Sequence, residues 1–312
     1  MSTEETFVRA GRSFVREDAR FRDWVTADGS SGYRAEAGRY HLYVSLACPW
    51  AHRTIIVRAL KGLQEAIGVS IADPIRDDAG WAFRDVAGTT PDKLHGWEYL
   101  SQAYVASDPG YDGRISVPVL WDTRTERIVS NESADIVVML NEAFDAFAEH
   151  PELDLYPVAL RAEIDELNER VYETVNNGVY RAGFAGDQEA YEEAVVPLFE
   201  TLDELDERLA AQRYLVGEQQ TLADWRLFTT LLRFDPVYAI HFKCSLRRIA
   251  DYEHLPAYLR DLYQTPGIAQ TVDMDHIKRH YYRTHPGINP NGIVPVGPIV
   301  DLDAPHGREA LA

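Results

Sequence analysis

One cysteine in the sequence stands where a thiol could act as a nucleophile. Residues 42–53 read L-Y-V-S-L-A-C-P-W-A-H-R, so that an alternating apolar run ends at Leu46 and Cys48 is followed directly by Pro49. Such a run is typical of a strand, and proline is favoured at the first position of a helix. Because the N-terminus of a helix carries a partial positive charge, it stabilises a thiolate placed there. The spacing therefore predicts a reactive Cys48 at a strand-to-helix turn.

The alternative for Cys48 is a small buried core residue, because free cysteines are often buried. The strand before it and the amphipathic run at 54–63 after it favour the reactive thiol. Dithiol redox proteins carry a second cysteine three positions further on, where this sequence has Ala51. A mixed disulfide on Cys48 would therefore need a second thiol from solution to remove it. The other cysteine, Cys244, lies in a basic segment that is predicted to be helical, and its thiol is expected to be packed in the protein interior.

The composition excludes several classes of function. The 312 residues carry a formal net charge of −19, which argues against nucleic acid or an anionic membrane as a partner. With 46% hydrophobic residues, the chain is predicted to be a globular protein of two domains. No apolar stretch is long enough for a membrane span, and the N-terminus shows no secretory signal. The two cysteines indicate neither a disulfide framework nor a metal site, and they favour the reducing cytoplasm.

Two kinds of periodicity divide the chain. Up to about residue 147 the order is strand, helix, strand, long insert, strand, strand and helix, which is typical of a thioredoxin-like fold. The predicted elements are strands at 40–46, 69–75, 117–121 and 127–130 and helices at 49–66 and 131–147. The insert at 76–114 shows no sustained period. Beyond it, apolar residues recur every three or four positions at 160–175 and 194–209, as buried helix faces require.

The sequence therefore predicts two domains and two flanking segments. The predicted bounds are 1–38 for an N-terminal extension, 39–148 for the thioredoxin-like domain, 157–285 for an all-helical domain and 286–312 for a C-terminal tail. The extension is expected to wrap the first domain; it contains the scattered aromatic residues Phe7, Phe14, Phe21 and Trp24. The tail is expected to lie along the surface with a mobile end. In the helical domain, Thr221 and Asp224 are predicted to form a structural capping box without a catalytic role.

Several words of the sequence carry a resemblance to a known family. They are C-P-W-A-H-R at 48–53, G-W-A-F at 80–83, N-N-G-V-Y-R-A-G-F-A at 176–185, D-P-V-Y-A-I-H-F-K-C at 235–244 and K-R-H-Y-Y-R-T-H at 278–285. Together they resemble the glutathionyl-hydroquinone reductases, the Xi class of the glutathione transferase superfamily, over nearly the whole chain. The resemblance implies the glutathione transferase fold. In that fold an α/β thioredoxin-like domain that binds glutathione is followed by an all-α substrate domain.

The resemblance implies that residues of the first domain bind the thiol tripeptide. Pro118 lies inside a predicted strand, where it cannot donate to a neighbouring strand. A cis proline there, as in thioredoxin-like folds, would let Val117 pair with the cysteinyl part of glutathione. Arg114 would meet the glycine carboxylate, and Trp81 would lie against the tripeptide. The alternatives are an ordinary surface charge for Arg114 and a loop anchor for Trp81.

A predicted helix start supplies the other end of the tripeptide site. Ser130 or Asn131 is expected to cap a helix whose first turn contains Glu132 and Ser133. A helix N-terminus with a hydroxyl binds a carboxylate, and a nearby acid can bind an ammonium group. The resemblance therefore implies that Glu132 and Ser133 bind the γ-glutamyl head, while simple capping is the alternative.

Three tyrosines of the second half are implied to line the electrophile pocket facing Cys48. By the resemblance, Tyr180 hands a proton to the departing phenol, and Tyr238 and Tyr281 bond to the sulfur. Phenol is a suitable acid because it is neutral at pH 7 and still donates to an oxyanion. The alternative is ordinary packing, since the chain has seventeen tyrosines. Tyr282 competes with Tyr281 for the same role, whereas His52 is expected to be structural or to face solvent.

The predicted function is that of an enzyme that reduces glutathionyl-hydroquinones with glutathione as thiol co-substrate and without a metal. The expected intermediate is a mixed disulfide between Cys48 and glutathione. The resemblance also implies a homodimer. The alternatives are a conventional glutathione transferase, an omega-like thiol transferase, and a non-catalytic binding module. The sequence leaves open whether the donor is glutathione, mycothiol or γ-glutamylcysteine.

Overall fold

The computed structural model of the protein describes residues 8–10 and 13–311. Residues 1–7, 11, 12 and 312, with Phe7 among them, lie outside the described residues. The described chain forms two compact units. The sheet unit consists of residues 17–154 and 270–293, and the helical unit consists of residues 8–10, 13–16, 155–269 and 294–311.

The elements follow in chain order. The strands are β1 (Val8–Ala10), β2 (Ser13–Val15), β3 (Val25–Thr26), β4 (Tyr33–Arg34), β5 (Tyr40–Val44), β6 (Ile67–Ile71), β7 (Val119–Asp122) and β8 (Arg127–Ser130). The helices are α1 (Pro49–Leu60), α2 (Ser101–Ser107), α3 (Ser133–Glu142), α4 (Arg161–Val171), α5 (Gly178–Gly183), α6 (Gln188–Ala211), α7 (Leu222–Arg233), α8 (Ala239–His241), α9 (Leu255–Tyr263) and α10 (Met274–Thr284). Two π-helical turns, Tyr172–Asn176 and Phe234–Tyr238, interrupt the helical unit.

The sheet unit is built on a four-stranded mixed sheet with the strand order β6-β5-β7-β8. Strand β5 pairs in parallel with β6 and antiparallel with β7, and β7 pairs antiparallel with β8. All five residues of β5 are buried, as a central strand covered on both faces requires. Helix α1 packs against α3. The predicted fold class, a thioredoxin-like α/β domain followed by an all-helical one, is confirmed.

A buried ion pair ties the two central strands together. Arg39, next to the start of β5, donates from Nε to Asp122 Oδ1 at 2.8 Å and from Nη2 to Asp122 Oδ2 at 2.7 Å. The carboxylate side chain of Asp122, at the end of β7, is fully buried. Burial raises the cost of both charges, but a bidentate pair satisfies the donors and acceptors of each group. The pair therefore fixes the register of β5 against β7.

The long insert at 76–114 is more ordered than its lack of periodicity predicted. It contains helix α2, which the sequence did not predict, and a backbone bridge between Ala82 and Tyr99. At its start the chain turns back on itself, with the Asp73 N–H donating to the Ala82 carbonyl oxygen at 2.8 Å. Gly80 closes this turn with a φ of +103°, a conformation that favours glycine. The insert thus holds its side chains on a fixed backbone.

The helical unit contains the predicted capping box at the start of α7. The Thr221 N–H donates to Asp224 Oδ2 at 2.7 Å, and Asp224 Oδ1 also accepts from the Leu215 N–H and from the Tyr258 hydroxyl. Asp224 is fully buried, so each of these donors offsets the cost of placing a carboxyl group there. The π-helical turn that follows α7 contains Pro236, which cannot donate to the preceding turn and so disturbs the regular helix.

The ends of the chain lie differently from the prediction. Phe14 and Arg16 belong to the helical unit, where Arg16 Nε donates to Asn177 Oδ1 at 2.8 Å, whereas residues 17–38 of the predicted extension belong to the sheet unit. The tail is anchored rather than mobile over its described residues. Arg308 is buried and donates from Nη2 to the carbonyl oxygens of Leu209, Gln212 and Arg213. These carbonyl groups lie at the C-terminus of α6, where they lack helical partners.

The observed units also divide the chain differently from the predicted domain bounds. Residues 270–285 were assigned to the helical domain, but they belong to the sheet unit. Polar contacts explain the difference, because His276 Nε2 lies 3.0 Å from the Ala87 carbonyl oxygen and His280 Nδ1 lies 2.6 Å from that of Pro74. Among the helices that the structure describes, none combines the length and the apolar character that a bilayer crossing requires.

Candidate active site

Cys48 occupies the position that the sequence predicted for it. It is the N-cap residue of α1, with Pro49 as the first helical residue, and its side chain is partly exposed. Its backbone is extended, with φ −78° and ψ 122°, so the chain passes from strand to helix at this residue. The carbonyl oxygen of Cys48 accepts from the His52 N–H at 2.9 Å, which begins the helical hydrogen bonding. The thiol therefore lies at the N-terminus of α1, at the strand-to-helix turn that the sequence predicted.

The thiol contacts the residue that precedes the predicted cis proline. Cys48 Sγ donates to the Val117 carbonyl oxygen at 3.6 Å, and the Val117–Pro118 peptide bond is cis. Val117 itself is buried just before β7. The structure thus brings together Cys48 and Val117, two of the residues predicted to act on the thiol substrate.

Glu132 and Ser133 start helix α3, but the cap differs from the prediction. Glu132 is the N-cap, and its Oε1 accepts from the Ala134 N–H at 2.9 Å. The expected caps Ser130 and Asn131 are engaged elsewhere. Ser130 Oγ accepts from the Glu132 N–H, and Asn131 Oδ1 accepts from the N–H of Phe21. The carboxylate of Glu132 and the hydroxyl of Ser133 therefore lie together at the helix start, as the predicted γ-glutamyl site requires.

Trp81 lies in the turn that opens the insert and is enclosed by two side chains. The His280 ring stacks on it with a centroid separation of 5.1 Å and an angle of 17°. The guanidinium of Arg76 also lies on the Trp81 ring, with its carbon 5.2 Å from the ring centroid. Trp81 is 5% exposed, so it has the packing of a loop anchor. Tyr281 belongs to the same cluster, with its ring centroid 5.2 Å from that of His280.

Arg76 and His280 were missed by the sequence reasoning. Arg76 lies in the segment D-P-I-R-D-D, which the sequence pattern indicated only as the end of a strand. Its relation to the site depends on the fold of the insert, because only the turn at 77–80 brings Trp81 back toward it. A basic residue between acidic ones, close to the G-W-A-F word, is the one signal that the sequence offered.

Tyr180 and Tyr238 belong to the helical unit, where their rings lie 6.0 Å apart. Tyr180 is in α5, directly after one π-helical turn, and Tyr238 ends the other. Such turns often occur at functional sites. Phe14 stacks on the Tyr180 ring, and the guanidinium carbon of Arg16 lies 4.9 Å from its centroid. The two tyrosines predicted for the electrophile pocket therefore share one aromatic cluster.

The residues predicted to have no part in chemistry are buried. His52 is fully buried, and its Nε2 lies 2.8 Å from Thr271 Oγ1. Cys244 is also fully buried, and burial raises the pKa of its thiol far above the ordinary value. It lies in a loop after α8, not in a helix as the sequence indicated. The prediction of a packed thiol is confirmed.

Comparisons with known proteins identify the class of this protein. Its fold and its thiol are those of the glutathione transferases. The family model described as "Glutathione S-transferase, N-terminal domain" matches residues 47–143. The model described as "Glutathione S-transferase, C-terminal domain" matches residues 188–261. The first match begins one residue before Cys48 and ends just after α3, and the second covers α6 and α7.

Relatives with known names narrow the class. The chain is 56% identical to glutathionyl-hydroquinone reductase YqjG of Escherichia coli, over 96% of this chain and 93% of the relative. It is 52% identical to glutathionyl-hydroquinone reductase PcpF of Sphingobium chlorophenolicum, over 94% of this chain and 92% of the relative. The glutathione-bound structure of YqjG matches with a TM-score of 0.90 and 57% identity, covering 92% of this chain and 96% of that one. A Xi-class transferase structure from Natrialba magadii matches with a TM-score of 0.92 and 52% identity, covering 93% and 89%.

The chain therefore belongs to the glutathionyl-hydroquinone reductases, the Xi class of the glutathione transferase superfamily.

Proposed function

We propose that this protein reduces glutathionyl-hydroquinones to hydroquinones at the expense of glutathione. The observation that carries the proposal is the 56% identity with glutathionyl-hydroquinone reductase YqjG over 96% of the chain. The partly exposed thiol at the N-terminus of α1 supports it, since the reaction needs a nucleophilic sulfur.

In the proposed first step, the Cys48 thiolate attacks the sulfur of the glutathionyl-hydroquinone. A sulfur–sulfur bond forms between Cys48 and glutathione, and the bond between sulfur and the ring carbon breaks. Its electron pair stays with the ring, which is reduced and takes up one proton, while the two sulfurs become a disulfide. Tyr180 supplies that proton to the leaving hydroquinone.

In the second step, the thiolate of a free glutathione attacks the mixed disulfide on Cys48. Oxidised glutathione leaves, and Cys48 becomes a thiolate again. The sum of the two steps is one glutathionyl-hydroquinone and one glutathione converted to one hydroquinone and one oxidised glutathione. Ala51, which occupies the place of a second cysteine, supports the use of an external thiol.

The glutathionyl group is proposed to lie along the sheet unit. Val117 pairs with its cysteinyl part, and Trp81 lies against it. Arg114 meets the glycine carboxylate, and Glu132 and Ser133 meet the γ-glutamyl head at the start of α3. The contact between Cys48 Sγ and the Val117 carbonyl oxygen supports this placement, because both would then face the same sulfur.

The remaining tyrosines are proposed to bond to the substrate sulfur. Tyr238 shares the aromatic cluster of Tyr180, which supports a common role. Tyr281 is preferred to Tyr282 because its ring contacts His280, the residue that stacks on Trp81. We also propose a homodimer, which only the likeness to the Xi class supports; sedimentation equilibrium of the full chain tests it.

The proposal is tested by intact-mass analysis combined with product analysis. On incubation with a glutathionyl-hydroquinone and no free thiol, the protein should gain the mass of one glutathionyl group on Cys48 and release one hydroquinone. Cys48→Ala should give neither product, whereas Cys244→Ala, the matched control for loss of a thiol, should behave as the parent does. Turnover by Cys48→Ala would contradict the mechanism. Formation of a thioether from glutathione and an electrophile, without the adduct, would indicate a conventional transferase instead.

A further inference from the structure

Two guanidinium groups belong to the same unit as the thiol. Arg76 and Arg114 are both residues of the sheet unit, as Cys48 is, and the charges of Arg114 and Cys48 act on the pKa of Arg76. The Arg76 guanidinium lies on the Trp81 ring, with its carbon 5.2 Å from the centroid. Its Nε atom is buried and, among the residues that the structure describes, has no hydrogen-bond partner. In the described part of the chain, neither Arg76 nor Arg114 forms an ion pair.

The backbone that carries Arg76 is fixed by its neighbours. The Asp77 N–H donates to the Gly80 carbonyl oxygen at 3.3 Å and closes the turn between Arg76 and Trp81. The Asp77 carboxylate accepts from Arg84 and from the Tyr99 hydroxyl. The acid next to Arg76 in the sequence is therefore already neutralised by another arginine. Arg76 is positioned by the fold, but its charge is left without a dedicated partner.

The electrostatics of the pair leave a positive charge to be balanced. Burial, followed by the neighbouring Arg114 guanidinium, lowers the pKa of Arg76 to about 10, while Cys48 and Asp77 act in the opposite direction. Arg76 is still a cation at neutral pH. A guanidinium with a buried Nε and no carboxylate partner can bind an anion, and a planar carboxylate fits its donor geometry.

We propose that Arg76 joins Arg114 in holding the carboxylate that follows the cysteine of the bound thiol, and that Arg76 makes the enzyme select thiols that carry it. In glutathione this group is the glycine carboxylate. The inference deepens the proposed function and rests on its choice of a thiol co-substrate. It also separates the candidate donors, because the cysteine of mycothiol is joined to an uncharged sugar and offers no such carboxylate.

Binding of an unreactive ligand tests the inference without turnover. Titration calorimetry of the full chain would compare S-methylglutathione with its glycine ethyl ester, in which a neutral ester replaces the one carboxylate. The parent protein should bind the acid about 100-fold more tightly than the ester, the effect of about one charge-assisted hydrogen bond from each of the two arginines. Arg76→Gln should weaken binding of the acid about tenfold and change binding of the ester by less than about twofold. Equal weakening of both ligands, or no change in either, would overturn the inference.

Control variants keep the result interpretable. Arg124→Gln removes an exposed arginine that pairs with Glu36 in the same unit, and it should leave both affinities unchanged. Arg76→Lys keeps the charge and should retain part of the preference for the acid. If Arg76→Gln does not fold, equal binding of acid and ester by the parent protein would by itself defeat the inference. A protein that prefers the acid but releases no hydroquinone would contradict the proposed function and leave this inference standing.

Discussion

The Cys48 thiol donates to a backbone carbonyl group that the bound ligand is also proposed to use. In the structure, Sγ donates to the Val117 carbonyl oxygen at 3.6 Å. That carbonyl group belongs to the residue that we propose pairs with the cysteinyl part of the substrate. When the N–H of the ligand takes the carbonyl, the thiol loses its acceptor. We therefore expect ligand binding to release Sγ from this contact, so that the sulfur is free to meet the sulfur of the substrate.

The role proposed for Tyr180 predicts a defect confined to one half of the reaction. Tyr180→Phe removes the hydroxyl and keeps the ring that packs against Phe14 and Tyr238. Because no general acid then protonates the leaving hydroquinone, formation of the mixed disulfide should slow by about 100-fold, within the range for general acid catalysis. The attack of glutathione on the preformed disulfide should be unchanged. Rapid-mixing single-turnover measurements would resolve the two steps.

Tyr191→Phe is the matched control for the loss of one tyrosine hydroxyl in the helical unit. The Tyr191 hydroxyl donates to the Lys243 carbonyl oxygen at 2.6 Å and has no proposed role in the reaction, so both steps should keep their rates. A first step that is equally fast in Tyr180→Phe and in the parent protein would remove Tyr180 as the acid while leaving Cys48 as the nucleophile.

At the scale of elements, the pairing of β5 with β7 depends on the Arg39–Asp122 ion pair. Burial acts to raise the pKa of the Asp122 carboxyl, but hydrogen bonds from Arg39, from the Arg124 N–H and from Thr125 outweigh it and hold the pKa below its ordinary value. As the pH falls, the unfolded chain therefore binds this proton before the folded protein does. The stabilisation is complete above the unfolded value of about 3.9 and is lost as the pH falls through the folded one.

Asp122→Asn should destabilise the protein in a manner that depends on pH. At pH 7 we expect a loss of about 2–4 kcal/mol, because a buried arginine loses its main partner. The difference from the parent protein should shrink below about pH 4. Urea unfolding at both pH values measures it, with Asp112→Asn as a control, since Asp112 and its partner Arg20 are exposed. A deficit that stays constant between the two pH values would show that the charge of Asp122 is not its cause.

The order of elements was predictable because alternation and helical spacing are local properties of the sequence. The residues at which the elements end were harder to predict. Helix α1 was predicted to reach residue 66 but ends at Leu60, where Gly62 adopts a φ of +66° and an added Cβ would meet the side chain of Glu149. That contact joins positions far apart in the chain. A sequence shows a glycine, but not the neighbour that requires it.

The candidate site shows the same limit. Cys48 could be predicted because the strand, the thiol and the proline adjoin in sequence. The cap of α3 could not be predicted in this way. Asn131 Oδ1 accepts a hydrogen bond from the N–H of Phe21, a residue distant in sequence, and Glu132 caps the helix instead. Arg76 approaches Trp81 only because of a turn that depends on Asp77, Arg84 and Tyr99 together.

At the scale of the whole molecule, the net charge of −19 makes the use of the few basic residues informative. Many of the 31 lysines and arginines pair with acids, as Arg213 does with Asp261 and Lys61 with Asp145. Against this acidic background, Arg76 and Arg114, which form no ion pair in the described chain, provide positive charge in the sheet unit. An anionic substrate would be repelled by the surface in general and attracted there, a contrast that salt weakens.

The last residues of the chain also contribute to its stability, because Arg308 closes the end of the longest described helix. Its Nη2 lies 3.1 Å from the Leu209 carbonyl oxygen and 2.7 Å from that of Gln212, at the C-terminus of α6. Arg308→Met keeps the length of the side chain but leaves these carbonyl groups without a donor, which should cost about 2–4 kcal/mol. The urea midpoint should fall, and amide exchange should rise in the last turn of α6. Arg248→Met, which removes an exposed arginine paired with Asp251, should change neither. Unchanged exchange in α6 of Arg308→Met would mean that other contacts, such as those of Leu302, anchor the tail.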